Sequence, residues 1–258
     1  MITQVKTFYN YRALLWEFVK KDIKLKYRNS VLGIFWSMIN PLLVMIVLTF
    51  IFSDLFKNKI PNFPVYILSG KLLYDFFSLS TNQCLTSITG KSSLIKKIYV
   101  PKYLYPLSRV ISSFIMFIIS FAPLITIMII MNVPLNKITP LAIYPLISLF
   151  FTALGIGLFL ATVNVFFRDM EHLYSVVLLM IMYMSAIFYS ADIIPKNYIV
   201  ILRFNPIFPL ISVFRDCILY GKITTSDNWI LCAIYPVVAM IIGLIAFYKN
   251  QDKFIFHI

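Results

Sequence analysis

Uncharged apolar stretches recur along nearly the whole chain, separated by short polar turns. The first runs from Val31 to about Phe52, about 22 residues or about 33 Å of helix, enough to cross the ~30 Å hydrocarbon core of a bilayer. Asn40-Pro41 sits near its middle, and the missing proline N–H predicts a kink there. Further stretches run from about Leu104 to Met131 with Pro106 and Pro123, from Leu141 to Phe167 with Pro145, Gly155 and Gly157, from Leu173 to Tyr189, and from Trp229 to Tyr248. The weakest, about Phe63 to Leu79, carries Gly70, Lys71 and Asp75. Lys71 and Asp75 share one helical face. Charge at membrane depth is costly unless paired or wet, so either they face each other beside a water-filled path, or the helix enters at a slant and they lie shallow.

Residues 8–28 read differently. On a helical wheel Glu17, Lys20, Lys21, Lys24 and Arg28 fall in one arc, while Phe8, Tyr11, Leu14, Leu15, Phe18, Val19, Ile23 and Leu25 cover the other; Arg12, Asp22 and Lys26 break the pattern. A basic face opposite an aromatic-rich one suits a helix lying among headgroups. Between the last two spans, 190–228 holds an amphipathic piece ending in Asn205-Pro206, then Leu210–Tyr220 interrupted by Arg215-Asp216. That second piece is too short to span as a helix and predicts a re-entrant or interfacial hairpin.

The expected fold is therefore an all-α membrane protein. It has six transmembrane helices, an N-terminal amphipathic interface helix and a re-entrant outer hairpin between helices five and six. All of 1–258 forms one domain: 1–29 the interface helix, 30–189 helices one to five, 190–228 the hairpin, and 229–258 helix six and tail.

Composition agrees. The chain is 60% hydrophobic and 13% charged, against roughly 45–50% and 25% for soluble domains. Its net charge of +13 is explained by basic loops kept inside the cell, and no nucleic-acid motif accompanies it. Fifteen of the 23 Lys and Arg fall in the N-terminal segment, the loop after the second span, Arg168 and the C-terminal tail, which predicts both termini in the cytoplasm. No cleavable signal peptide is expected, because the first ~30 residues are charged throughout. Cys84, Cys217 and Cys232 form no CxxC pair, and with only His172 and His257 beside them they predict packing residues, not a disulfide framework or a metal site.

Chemistry of its own is hard to find. Gly90-Lys91-Ser92 resembles the end of a phosphate-binding loop, but position 85 is Leu where that loop needs Gly, and no strand precedes it. No Ser-His-Asp set is recognisable. Energy for uphill movement must come from a partner or an ion gradient. Three segments invite function. Lys91–Arg109 is basic, with Leu94, Ile95 and Ile98 as apolar anchors for a groove in a partner; an ordinary basic inside loop explains it equally. Asn164–His172 packs four ionisable residues into a turn, either a capped turn or a second partner contact. The hairpin carries Asp192, Arg203, Arg215 and Asp216; the last two are adjacent, so each needs its own partner. An aromatic-lined passage would suit a glycan.

Tyr27-Arg-Asn-Ser-Val-Leu-Gly-Ile-Phe-Trp-Ser-Met-Ile-Asn-Pro41, Leu94-Ile-Lys-Lys-Ile-Tyr-Val-Pro101, Asn164-Val-Phe-Phe-Arg-Asp169 and Asn205-Pro206 together resemble the transmembrane subunits of ABC-2 exporters of O-antigen, teichoic acid and related polysaccharides. The resemblance covers nearly the whole chain. It implies a homodimer bound to two copies of a separate ATPase, which holds ATP and Mg; this chain binds no cofactor. It implies ATPase coupling through Leu94, Ile95, Lys96, Lys97, Ile98 and Tyr99, joined by Arg168, Asp169 and Glu171. It implies an outer gate at Asp192, Arg203, Asn205, Pro206, Arg215 and Asp216. A channel for undecaprenyl-pyrophosphate-linked glycan would form between subunits, with Trp36, Asn40, Lys71, Tyr74, Asp75 and Phe77 along the path. The family keeps the region of Lys71 apolar, so this lysine is a departure and a candidate contact for the pyrophosphate. The rival readings are an ABC-2 exporter of a drug or small lipid, a membrane-embedded glycan-processing enzyme, and an ion-driven carrier.

Overall fold

A chain this apolar must satisfy its backbone polar groups within each segment, and helix is the way a single strand of chain does so. The structure is a computed structural model that describes residues 9–28, 30–56, 60–97, 99–191 and 194–257, all helix or connecting turn. Of the positions singled out above, Phe8, Ile98 and Asp192 lie outside the described residues. In order the helices are α1 (Arg12–Tyr27), α2 (Trp36–Phe56), α3 (Phe63–Leu85), α4 (Ser92–Ile95), α5 (Leu104–Ile119), α6 (Phe121–Ile130), α7 (Ile143–Phe166), α8 (Met170–Tyr183), α9 (Lys196–Phe204), α10 (Ile207–Arg215), α11 (Ser226–Asn250) and α12 (Phe254–His257).

Four helical stretches among the described residues are long and apolar enough to cross a bilayer: Gly33–Phe52, Leu104–Ile130, Thr139–Phe166 and Ser226–His257. α3 has 23 residues and so sufficient length, but it is the central helix. Val65, Ile67, Leu68, Leu73 and Phe77 are fully enclosed by α2, α5, α7 and α10, so protein rather than lipid solvates it and a high hydropathy is not required.

Proline sets the breaks. The helix expected from Leu104 to Met131 is divided at Ser120, three residues before Pro123, whose ring cannot sit over the preceding turn. Pro41 lies in the second turn of α2 and near the middle of the crossing stretch Gly33–Phe52. It leaves the Ser37 carbonyl without its helical donor, and the Ser120 hydroxyl reaches that carbonyl at 2.9 Å. A side chain at the second break thus supplies a donor for the carbonyl opened by Pro41.

α7 and α11 form the tightest crossing. A Cβ on Gly243 would lie 2.1 Å from the Gly155 carbonyl oxygen, and one on Gly155 would lie 2.3 Å from the Ala239 backbone. Small residues let the backbones touch, which is how helices associate where the hydrophobic effect is absent. A ladder of rings fills the space between α3, α5, α6, α7 and α10: Phe76–Phe117 at 4.9 Å, Phe117–Phe121 at 4.9 Å, Phe114–Phe150 at 5.1 Å and Phe121–Phe214 at 5.8 Å. These rings pack on one another inside the subunit, and Phe76 and Phe117 also border the cavity described below. The three cysteines are buried in the same interior.

The expected helix Leu173–Tyr189 is shorter than read. α8 has 14 residues, about 21 Å, and ends at Tyr183. Ala186 then takes a left-handed φ of 49°. The carbonyls at such an end have no helical donor; three long-range side chains supply them, as described next.

Candidate functional site

One end of the molecule gathers most of the basic segments. α1 lies along α5 with Leu15 and Val19 buried and Phe18 stacked on Tyr105 at 5.4 Å. Asp22, its side chain only 7% exposed, pairs with Arg109 at 3.1 Å. Burial pushes its carboxyl up from the usual range, and Arg109, Lys91 and Lys21 pull it back. The Asn164 amide donates to the Leu85 carbonyl at 3.0 Å and to Glu171 at 3.1 Å, tying the end of α7 to the end of α3. Lys102 donates to the Gln251 carbonyl and brings the C-terminal tail to the same place.

Within this end the predicted coupling residues divide. Ile95 is 8% exposed and belongs to the chain's own core, with Leu94 packed against it. These two side chains are not free anchors for a partner, because the four-residue α4 needs them to hold itself to the bundle. What α4 and the following turn present outward is Lys96, Lys97 and Tyr99, the last 91% exposed. Arg168, Asp169 and Glu171 are exposed in the neighbouring turn.

A cavity of about 530 Å³ opens between the start of α2, the middle of α3 and α5. Trp36, Asn40, Lys71 and Asp75, four of the expected path residues, line it together with Lys26 and Asn82. Lys71 donates to Asp75, which lies one turn along the same helix. The pair occupies the middle of α3. Tyr74 and Phe77 do not join it. Tyr74 sits beside Lys71, whose Nζ lies 5.7 Å from its ring centroid, but its hydroxyl turns away to donate to the Leu178 carbonyl at 2.9 Å, and Phe77 is fully enclosed. Both are core, for the reason that a helix interior to a bundle has no face without a neighbour.

At the other end, α9 and α10 meet at Asn205-Pro206. Asn205 donates to the Ile181 carbonyl at 3.0 Å and to Ser185 Oγ at 2.8 Å. Arg215, 4% exposed, donates from Nη1 to the Ala186 carbonyl at 2.8 Å and from Nη2 to the carbonyls of Tyr66 at 2.9 Å and Ile187 at 3.3 Å. Its guanidinium stands 3.4 Å over the Tyr66 ring, and the Tyr66 hydroxyl donates to the carbonyls of Ala186 and Tyr189. So the hairpin side chains satisfy the carbonyls left open where α8 stops. Asp216, pointing elsewhere, accepts from the Thr224 amide at 3.1 Å and Trp229 Nε1 at 3.3 Å. Each of the adjacent charges has its own partners, as the spacing predicts. Arg203 pairs with Asp227 at 2.8 Å.

Sequence reasoning missed Tyr66, Gly70, Lys26 and Asn82. Gly70 carried a readable signal: it is the one glycine in α3, and a Cβ there would lie 2.5 Å from Arg215 Nη2.

Comparison with known proteins agrees with this architecture. An O-antigen export system permease protein, RfbA, from Klebsiella pneumoniae is 30% identical over 243 residues, 93% of each chain. One of the same name from Myxococcus xanthus is 27% identical over 98% of each. The polysialic acid transport protein KpsM of Escherichia coli is 22% identical over 90% of this chain and 91% of its own. The family model for ABC-2 type transporters matches residues 13–219, most of the chain. With four apolar helices of crossing length and a full-length likeness to export permeases, this chain belongs to the ABC-2 type transporter family.

Proposed function

We propose that this chain is the channel-forming membrane subunit of an ATP-driven exporter that moves undecaprenyl-pyrophosphate-linked polysaccharide, of the O-antigen or teichoic-acid kind, across the cytoplasmic membrane. The observation that carries this reading is the cavity beside Lys71, in a chain that aligns over nine-tenths of its length with permeases named for O-antigen export. It combines two lysines, a carboxylate, two asparagines and a tryptophan on the flank of an otherwise apolar bundle. Cations suit a pyrophosphate, amides suit hydroxyls, and an apolar surround suits a lipid chain. The likeness to RfbA and KpsM favours polysaccharide over a drug or small lipid.

In this reading the whole chain is one transmembrane domain crossing the membrane six times, with both termini in the cytoplasm. α3 and α8 complete the crossings with help from their neighbours. Two copies associate. α8 exposes Leu173, Val176, Val177, Leu179 and Met180 along its length, and at about 21 Å it is too short to face lipid alone, which supports a second copy as its cover. A separate ATPase, also in two copies, holds ATP and magnesium and docks at Lys96, Lys97, Tyr99, Arg168, Asp169 and Glu171. The hairpin α9–α10 re-enters from outside and gates the exit.

Deleting the gene and examining both surface glycan and lipid-linked precursor is the direct test. Loss of surface glycan with precursor trapped inside is expected. Unchanged surface glycan, or net glycan movement by the purified chain in vesicles without an ATPase, overturns the proposal.

A further inference from the structure

Among the described residues lining the 530 Å³ cavity there is one carboxylate, Asp75. The rest of the polar wall suits a phosphate ester: two ammonium groups, Lys26 and Lys71, with the amides of Asn40 and Asn82. An acid beside them repels the same ligand, so its presence needs a reason.

The two lysines are held differently. Lys71 donates to Asp75, one turn along α3. Lys26 is exposed and forms no ion pair among the described residues; its nearest aromatic neighbour is the Tyr27 ring, 5.5 Å from Nζ. The Lys71–Asp75 pair keeps open surface, with 18% of the lysine side chain and 39% of the aspartate side chain exposed. A ligand in the cavity can therefore reach both. A phosphate oxygen and the Asp75 carboxylate are alternative acceptors for the same Lys71 donors, and the two anions repel at a few ångströms. With the cavity empty, Asp75 gives the Lys71 ammonium a partner, which a lone lysine in an apolar bundle would lack. With it filled, Asp75 limits how tightly the ligand is held. A passage conducts only if its sites bind weakly enough to release.

We infer that Asp75 is a positioning residue that competes with the substrate for Lys71: it holds Lys71 in the empty cavity, gives it up to the diphosphate of the lipid-linked glycan, and takes it back as the diphosphate leaves. The inference deepens the exporter reading and rests on it for the diphosphate.

Isothermal titration of the full-length chain in nanodiscs of zwitterionic lipid tests it, with farnesyl pyrophosphate and farnesol as probes. Asp75→Asn and Asp75→Ser each remove the charge and keep an acceptor for Lys71. Either should bind farnesyl pyrophosphate about tenfold more tightly than the native chain, with farnesol unaffected. Asp75→Glu keeps the charge and should stay within about threefold of native, and adding Lys71→Met to Asp75→Asn should abolish the gain. A thermal melt verifies the fold of each variant. In cells Asp75→Asn should lower surface glycan, because release slows. A pair that only ties α3 together predicts farnesyl pyrophosphate binding unchanged or weakened in the neutral variants, and that result overturns the inference. So does an equal gain for farnesol or in Asp75→Glu, or no binding by native and neutral variants alike. Surface glycan lost on gene deletion with binding unchanged in Asp75→Asn removes only the role of Asp75, whereas surface glycan retained on deletion removes the exporter.

Discussion

Asp22 and Arg109 set the docking of α1 by a buried ion pair. Removing Arg109 leaves Asp22, only 7% exposed, as an unpaired carboxylate and costs up to about 3–5 kcal/mol, whereas Asp22→Asn leaves Arg109, whose side chain is 27% exposed and can be hydrated. Arg109→Leu should therefore detach α1, read as new protease cleavage within residues 12–27, while Asp22→Asn leaves cleavage near the native rate. At the far end, Gly70 makes room for the Arg215 guanidinium. Gly70→Ala should displace Arg215 from the carbonyls of Tyr66, Ala186 and Ile187. The expected result is faster hydrogen exchange over residues 184–191 and 207–220, with α1 and α5 unchanged. Equal exchange in both proteins contradicts the anchoring role of Arg215.

Helices here are fixed as much by their defects as by their regular turns. Ser120 supplies the donor that Pro41 takes from the Ser37 carbonyl. Ser120→Ala leaves that carbonyl with no replacement donor from Ser120 and should cost about 1–2 kcal/mol, seen as a lower midpoint in denaturant. The crossing of α7 and α11 is less forgiving. Gly243→Leu drives a side chain into the Gly155 backbone, and overpacking at a contact of this kind costs about 1–3 kcal/mol or more. A marked fall in folded yield is expected, and a native melting curve argues against direct backbone contact. The break between α5 and α6 has the same origin as the missing backbone bond at Pro41 in α2, a ring where the backbone needs a donor.

In the proposed exporter, function is divided between two ends of the molecule and the flank joining them. The end that carries α1, α4 and the 164–172 turn presents Lys96, Lys97 and Tyr99 outward. Lys96→Glu with Lys97→Glu should reduce co-purification with the ATPase at least about tenfold and leave the melting curve unchanged, since exposed charges contribute little to stability. On the flank, Lys71→Met removes the cation that faces the 530 Å³ cavity. Export should fall about tenfold while the chain still co-purifies with the ATPase, because the cation proposed to meet the phosphate is lost; the variant also leaves Asp75 without its ion-pair partner, so a thermal melt verifies the fold. Undiminished export removes Lys71 from the path.

Long apolar runs alone determined that this chain is helical and membrane-embedded, and they placed the starts of α3, α5, α7, α8 and α11 to within a turn, whereas α3 runs on to Leu85, α8 stops at Tyr183 and the break at Ser120 went unread. The motif around Tyr27–Pro41 and those that follow it carried the family. These properties are legible because they depend on local composition and on the period of one helix, quantities contained in a window of the sequence. The separate needs of Arg215 and Asp216 were legible for the same reason: adjacent residues on a helix cannot share a face. What only the tertiary structure decided is which side of each helix meets a neighbour. Tyr74 and Phe77 read as path residues until α3 proved central, and Ile95 read as a docking anchor until its own bundle claimed it. The early stop of α8 likewise depends on donors from Tyr66, Asn205 and Arg215, between 24 and 123 residues distant in the chain. No window spans them. A carbonyl can be left without a helical donor only where distant side chains arrive to meet it, and their arrival is a property of the packed molecule.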